Sequence, residues 1–196
     1  MHVNRRSAIV ISIITTSCLV ESPLASSATF TDSDRTADST LEFLQNYFEK
    51  PSIIGQGKYS VWGFDIYRAR LWAEADSFQP EKWHQNRFAL ELTYLRDAEG
   101  KFIAKKSMEE MTKQNEISSV KIQAWNKVLE NLFPDIKKNQ SLTGVYTPNS
   151  EAKFFHGKNL IGEIRDPELL KSFFEIWFSS RTSAPELRKK LFSESS

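Results

Sequence analysis

The residues best placed to do chemistry lie close together: Lys58, Asp65 and Tyr67. Side chains two apart in a strand share a face. A carboxylate and a phenol would then point the same way, which suits acid–base work in a cleft. A polar break beside a bulge would place the same two residues there with no chemistry. Lys58 could meet a carboxylate, or could be a solvated lysine on a strand edge. His84 and His156 have no Cys or carboxylate partner at metal-ligand spacing, so no metal site is expected. No motif calls for a cofactor.

The element that must position these groups is Val61-Trp62-Gly63-Phe64-Asp65-Ile66-Tyr67-Arg68-Ala69-Arg70-Leu71-Trp72-Ala73. Its aromatic and β-branched residues suit a pleated, half-buried surface, and a strand this apolar is expected near the centre of a sheet. Tyr67, Ala69, Leu71 and Ala73 share one face; Arg68, Arg70 and Trp72 share the other, where the two arginines are expected to meet solvent. The apolar side changes near Gly63–Asp65, so a bulge or bend is expected there.

The chain has 196 residues, 40% hydrophobic and 26% charged, with a formal net charge of +1. This is ordinary globular composition for one domain plus extras. No field of one sign argues for nucleic acid or an anionic membrane. Residues 1–28 read as a signal peptide: Arg5 and Arg6, then an apolar run from Ala8 to Val20, then Ser26-Ser27-Ala28 with cleavage after Ala28. That run is too short and too polar for a stable membrane span. The alternative is a lipoprotein attached through Cys18, but Thr15 stands where a lipid-attachment box has a larger aliphatic residue. Cys18 is the only cysteine, so an exported, periplasmic or secreted product would rely on its apolar core rather than on disulfides.

Residues 29–45 read as a polar linker and 46–196 as the folded domain. Thr40 could cap a helix carrying Leu41, Phe43, Leu44, Tyr47 and Phe48. Gly55-Gln56-Gly57 signals a turn. Phe88, Leu90, Leu92 and Tyr94 alternate along a strand, leaving Glu91 across from Arg68 or Arg70. Ser107-x-x-Glu110 and Ser183-x-x-Glu186 resemble capping boxes. A helix from about Ser118 to Phe133 is followed by strands at Ser141–Tyr146, Ala152–Phe155 and Leu160–Ile164. Asp166-Pro167 opens a helix whose Leu169/Leu170, Phe173/Phe174 and Trp177/Phe178 recur every four residues and form a broad core stripe. The pattern predicts an α+β layer, with a large antiparallel sheet and helices packed on one face.

Gly63-Phe64-Asp65-Ile66-Tyr67-x-Ala69-x-Leu71-Trp72-Ala73 resembles the central strand of bacterial chalcone isomerase-like proteins. Phe173-Phe174-Glu175-Ile176-Trp177-Phe178 with Arg181-Thr182-Ser183-x-Pro185-Glu186-Leu187-Arg188 resembles their last two helices. The likeness runs from about Ile53 to Phe192. It implies an open-faced β-sandwich with a cleft between the central strand and the helices. Plant chalcone isomerases stabilise a phenolate with an arginine near the central hairpin; here no arginine lies between Pro51 and Tyr67. Tyr67 stands where the family has a threonine. The family's helix-borne tyrosine and asparagine should fall within Met108–Trp125, which holds no tyrosine and only Asn115. Oxyanion stabilisation needs donors aimed at the developing charge, so no catalytic residues are assigned. The resemblance implies a binding module for a small apolar or carboxylate ligand, as in plant fatty-acid-binding relatives. The candidate ligand-binding residues are Tyr67, Tyr94, Lys58 and Asp65. An isomerase using different residues and a structural exported protein are the alternatives.

Overall fold

Six strands lie in sequence order across one antiparallel sheet: β1 (Ser52–Val61), β2 (Phe64–Ala73), β3 (Phe88–Tyr94), β4 (Ser141–Thr147), β5 (Glu151–His156) and β6 (Asn159–Ile164). They belong to a computed structural model that describes residues 32–193. The signal peptide expected over residues 1–28, with Cys18 and the cleavage site at Ala28, lies outside the described residues. Helices α2 (Gly100–Gln114), α3 (Ser119–Leu132), α4 (Pro167–Phe178) and α5 (Pro185–Leu191) cover one face. Helix α1 (Asp32–Leu44) crosses the other.

The α4 stripe packs as its spacing predicts. Leu169, Leu170, Phe173, Phe174, Trp177 and Phe178 are all buried, and Phe174 meets Phe88, Tyr146 and Phe154 on the sheet. Asp166 caps the helix by accepting hydrogen bonds from the Glu168 and Leu169 amides, a contribution of about 0.5–2 kcal/mol. Ser118 caps α3 through the Lys121 amide. Neither capping box forms, however. Ser107 lies inside α2 and donates to the Ile103 carbonyl, and Ser183 donates to Glu110.

The stretch Val61–Ala73 is not one strand. Trp62 and Gly63 have φ of 49° and 83°, so they form a two-residue hairpin turn between β1 and β2. A bulky residue in this left-handed region costs about 1–2 kcal/mol. The bulge comes after this turn. Tyr59 pairs with Tyr67, then Ser60 with Asp65, which leaves Ile66 as the extra residue. β2 is also second from the sheet edge rather than central. Gly55 and Gly57 make no turn. They lie inside β1, where a Cβ on Gly55 would stand 2.2 Å from the Lys190 carbonyl oxygen. Their missing side chains let α5 sit directly on the strand.

The outer face departs most from expectation. Residues 32–44, expected to be mostly linker, form α1. Leu44 and Phe48 join Trp72, Ala89, Val145 and Phe155 in a second apolar cluster. Arg70 is not solvated. It pairs with Glu91 across β2 and β3 as expected, but the two are 2% and 0% exposed. Glu91 accepts from Arg70 (3.5 Å), Trp72 Nε1 (3.1 Å) and Thr40 Oγ1 (2.7 Å). Thr40 is therefore the hydroxyl that ties α1 to the sheet, not a helix cap.

Candidate ligand-binding site

Between the inner face of the sheet and helices α2 and α4 lies a cavity of about 480 Å³. Leu90 and Leu92 of β3, Leu142 and Gly144 of β4, and Phe154 of β5 form its floor. Ile103 of α2 and Phe173, Ile176 and Trp177 of α4 form its roof. Such a volume falls within the range of small-molecule sites.

Its polar groups form a row across three strands. Tyr59 on β1 pairs with Tyr67 on β2, which pairs with Tyr94 on β3. The rings of Tyr59 and Tyr67 stack at 5.1 Å, and those of Tyr67 and Tyr94 lie 6.0 Å apart. Trp177 Nε1 donates to Tyr67 Oη at 3.0 Å, which fixes that hydroxyl and leaves its proton to give. Tyr94 Oη has no hydrogen-bond partner among the described residues.

Lys58 and Asp65 do not belong to this site. The bulge at Ile66 reverses the alternation, so Asp65 turns away from Tyr67. It joins Lys58 Nζ at 2.7 Å and Ser60 Oγ at 2.6 Å on the solvent side of the hairpin. Hydrogen bonds from Lys58 and then Ser60 hold its carboxyl below the usual value. The two residues that the spacing puts on one face are therefore split between two faces, the polar break beside a bulge being the reading that fits. Ile66 takes the vacated place in the cavity wall. Asn115 bonds Glu175 and Arg181 and does not line the cavity. Tyr59 was not singled out from the sequence; its alternation with Gly57 and Val61 is the signal that could have marked it.

The rim carries matched charges. Glu110 accepts from Lys113 (2.7 Å) and Ser183 (2.6 Å), and Lys106 pairs with Glu109 at 2.6 Å. Burial, then the Glu110 charge, raises the pKa of Tyr59. Burial also pushes Tyr67 and Tyr94 well above the ordinary 10.0, so both stay neutral donors.

This has a consequence at alkaline pH. An unfolded chain releases each phenolic proton near pH 10, and the folded chain does not. The folded state then binds more protons, so the contribution of these two groups to stability is constant below about pH 10 and falls above it. Two such groups give a slope of about 2.7 kcal/mol per pH unit. Denaturant midpoints measured on either side of pH 10 should show this decline, with two phenolates appearing only on unfolding. A midpoint that stays flat would mean that both hydroxyls are in contact with water.

Residues 52–193 match the model of a family described as chalcone isomerase-like. No curated protein matches the chain. Among solved structures, a fatty-acid binding protein of Arabidopsis thaliana superposes with a TM-score of 0.54 at 13% identity. The match covers 72% of this chain and 86% of that one. At that identity the likeness concerns the fold. The family match spans all six strands, helices α2–α5 and the whole tyrosine row, and on this ground the chain belongs to the chalcone isomerase-like family.

Proposed function

We propose that the protein is an exported binding module that holds a small, mostly apolar ligand with one polar end, such as a fatty acid, without transforming it. The observation that carries this reading is the cavity itself: apolar walls around about 480 Å³, with the Tyr67 and Tyr94 hydroxyls free to donate. The apolar body of a ligand would lie between the leucines of β3 and β4 and the aromatic rings of α4. Its polar end would accept from the tyrosines. The split of Asp65 from Tyr67 supports binding without chemistry, because it takes the neighbouring carboxylate off the phenol row, while Glu110 of the lining is held at the rim by Lys113 and Ser183. The fatty-acid binding protein of the same fold supports an apolar ligand as the class to test first.

The test uses the mature protein, expected by mass to begin at Thr29, and displacement of a fluorescent fatty acid. Tyr67→Phe removes one hydrogen bond, worth about 0.5–1.5 kcal/mol, and should weaken binding roughly 2- to 13-fold. Ile103→Trp should fill the cavity and abolish binding. A protein that displaces nothing, and is isolated with no small molecule bound, would leave only a structural role.

A further inference from the structure

We propose that the β1–β2 hairpin tip and the first turns of α2 form a docking surface for an anionic lipid bilayer, set around the mouth of the cavity. Three large rings project there: Trp62 is 95% exposed, Phe64 61% and Phe102 54%. Single exposed apolar side chains are normal on a protein surface, whereas clustered ones mark interaction sites. Trp62 and Phe102 also line the cavity, so this surface is the rim of the binding site. Trp62 occupies a turn position with φ of 49° that asparagine would adopt more easily. The fold thus holds an indole out in water where local backbone chemistry favours a small polar residue. Tryptophan is the residue that settles at the headgroup level of a bilayer.

The charges around the rings fit the same partner. The Arg96 guanidinium lies 5.4 Å from the Phe64 ring, and Lys106 Nζ lies 5.6 Å from the Phe102 ring. Lys105 and Lys106 follow Phe102 at the spacings that share a helix face, and Lys101 precedes it. The acids of the rim are matched already: Asp65 by Lys58, Asp97 by Lys137, Glu109 by Lys106 and Glu110 by Lys113. Glu99 and Asp135, which accepts from the Gly100 amide at the start of α2, are the acids there with no ion pair among the described residues, against Arg96, Lys101, Lys105 and Lys138, which have none either. Aromatic rings ringed by uncompensated cations complement an anionic headgroup layer over acyl chains. The overall charge of +1 conceals this local surplus. Among the described residues no helix is long and apolar enough to cross a membrane, so the contact would be peripheral. Docked this way, the mouth would face the lipid, and a ligand could pass between bilayer and cavity without crossing water. That transfer rests on the ligand reading above; the docking does not.

The experiment measures co-sedimentation with phosphatidylcholine vesicles, with and without phosphatidylglycerol, alongside tryptophan fluorescence. Trp62 is the only exposed tryptophan of five. Anionic vesicles should therefore shift its emission to the blue and shield it from iodide. Trp62→Asn suits the turn and Phe102→Ser changes an exposed residue, so both should fold. Each should weaken partitioning on the order of tenfold. Lys101→Gln with Lys105→Gln should cost roughly fivefold per charge, on anionic vesicles only. Wild-type protein that stays in the supernatant with unchanged emission would overturn the proposal. So would a concentration-dependent dimer that Trp62→Asn abolishes, because the surface would then be a self-interface. Vesicle binding without fatty-acid displacement would remove the ligand reading and keep the docking. Displacement without vesicle binding would do the reverse.

Discussion

Phe174→Ala should lower stability by about 3–5 kcal/mol, toward the upper part of that range. Phe174 is fully buried and touches rings from four directions: Phe88, Tyr146, Phe154 and Phe178. Phe154 and Tyr146 belong to the sheet, so little around the site can collapse into the space left. Trp177→Ala should cost about 3 kcal/mol, the lower end of the same range. One side of Trp177 already faces the cavity, so less contact is lost, and its hydrogen bond to Tyr67 goes with it. Against a typical domain stability of about 5–15 kcal/mol, either change is large. Urea unfolding of both variants gives the check. A Phe174→Ala midpoint near wild type would mean that α4 is not docked on the sheet.

Arg70→Ala should be destabilising by about 3–5 kcal/mol. The removed guanidinium leaves the Glu91 carboxylate fully enclosed, with the neutral donors Trp72 Nε1 and Thr40 Oγ1 as its partners among the described residues. A charge buried without a counter-charge is far more costly than an exposed pair is favourable. Arg68→Ala, two residues along β2 from the same network, should change stability by no more than about 1 kcal/mol, because Arg68 makes no ion pair among the described residues. Replacing Arg70 and Glu91 together by apolar residues of similar volume should recover much of the loss. The comparison needs unfolding curves of these three variants and of wild type. Equal midpoints for Arg70→Ala and Arg68→Ala would show that water reaches Glu91 beneath α1.

Periodicity alone determined much of this protein. The recurrence of paired apolar residues from Leu169 to Phe178 can only be a helix with a broad buried stripe. The alternation Phe88, Leu90, Leu92, Tyr94 reads as a strand, although α1 buries its second face as well. The cap Asp166, the three strands from Ser141 to Ile164, and an arginine of β2 opposite Glu91 were legible for the same reason: each depends on neighbours a few residues away or on a simple cross-strand register. Tyr67 and Tyr94 could be placed on the cavity face because nothing between Tyr67 and Ala73 interrupts the alternation.

Tertiary structure decided what lies outside that local range. One extra residue at Ile66 inverts the faces on either side of it, and which strand residue bulges depends on how β1 and β2 pair. That single shift removed Asp65 from the site, while Lys58 lies on the outer face of β1 opposite Arg68. Gly55 and Gly57 read locally as a turn, yet the approach of α5 from far along the chain makes them strand residues without side chains. The fate of Arg70 was equally remote. Its alternation with polar Arg68 suggests a wet face, but burial depends on what covers that face, and the cover is a helix beginning 38 positions earlier at Asp32. A polar segment folds into a helix there because Leu41, Phe43 and Leu44 find Trp72, Val145 and Phe155 to pack against, and burial of that stripe rather than helix propensity supplies the stability.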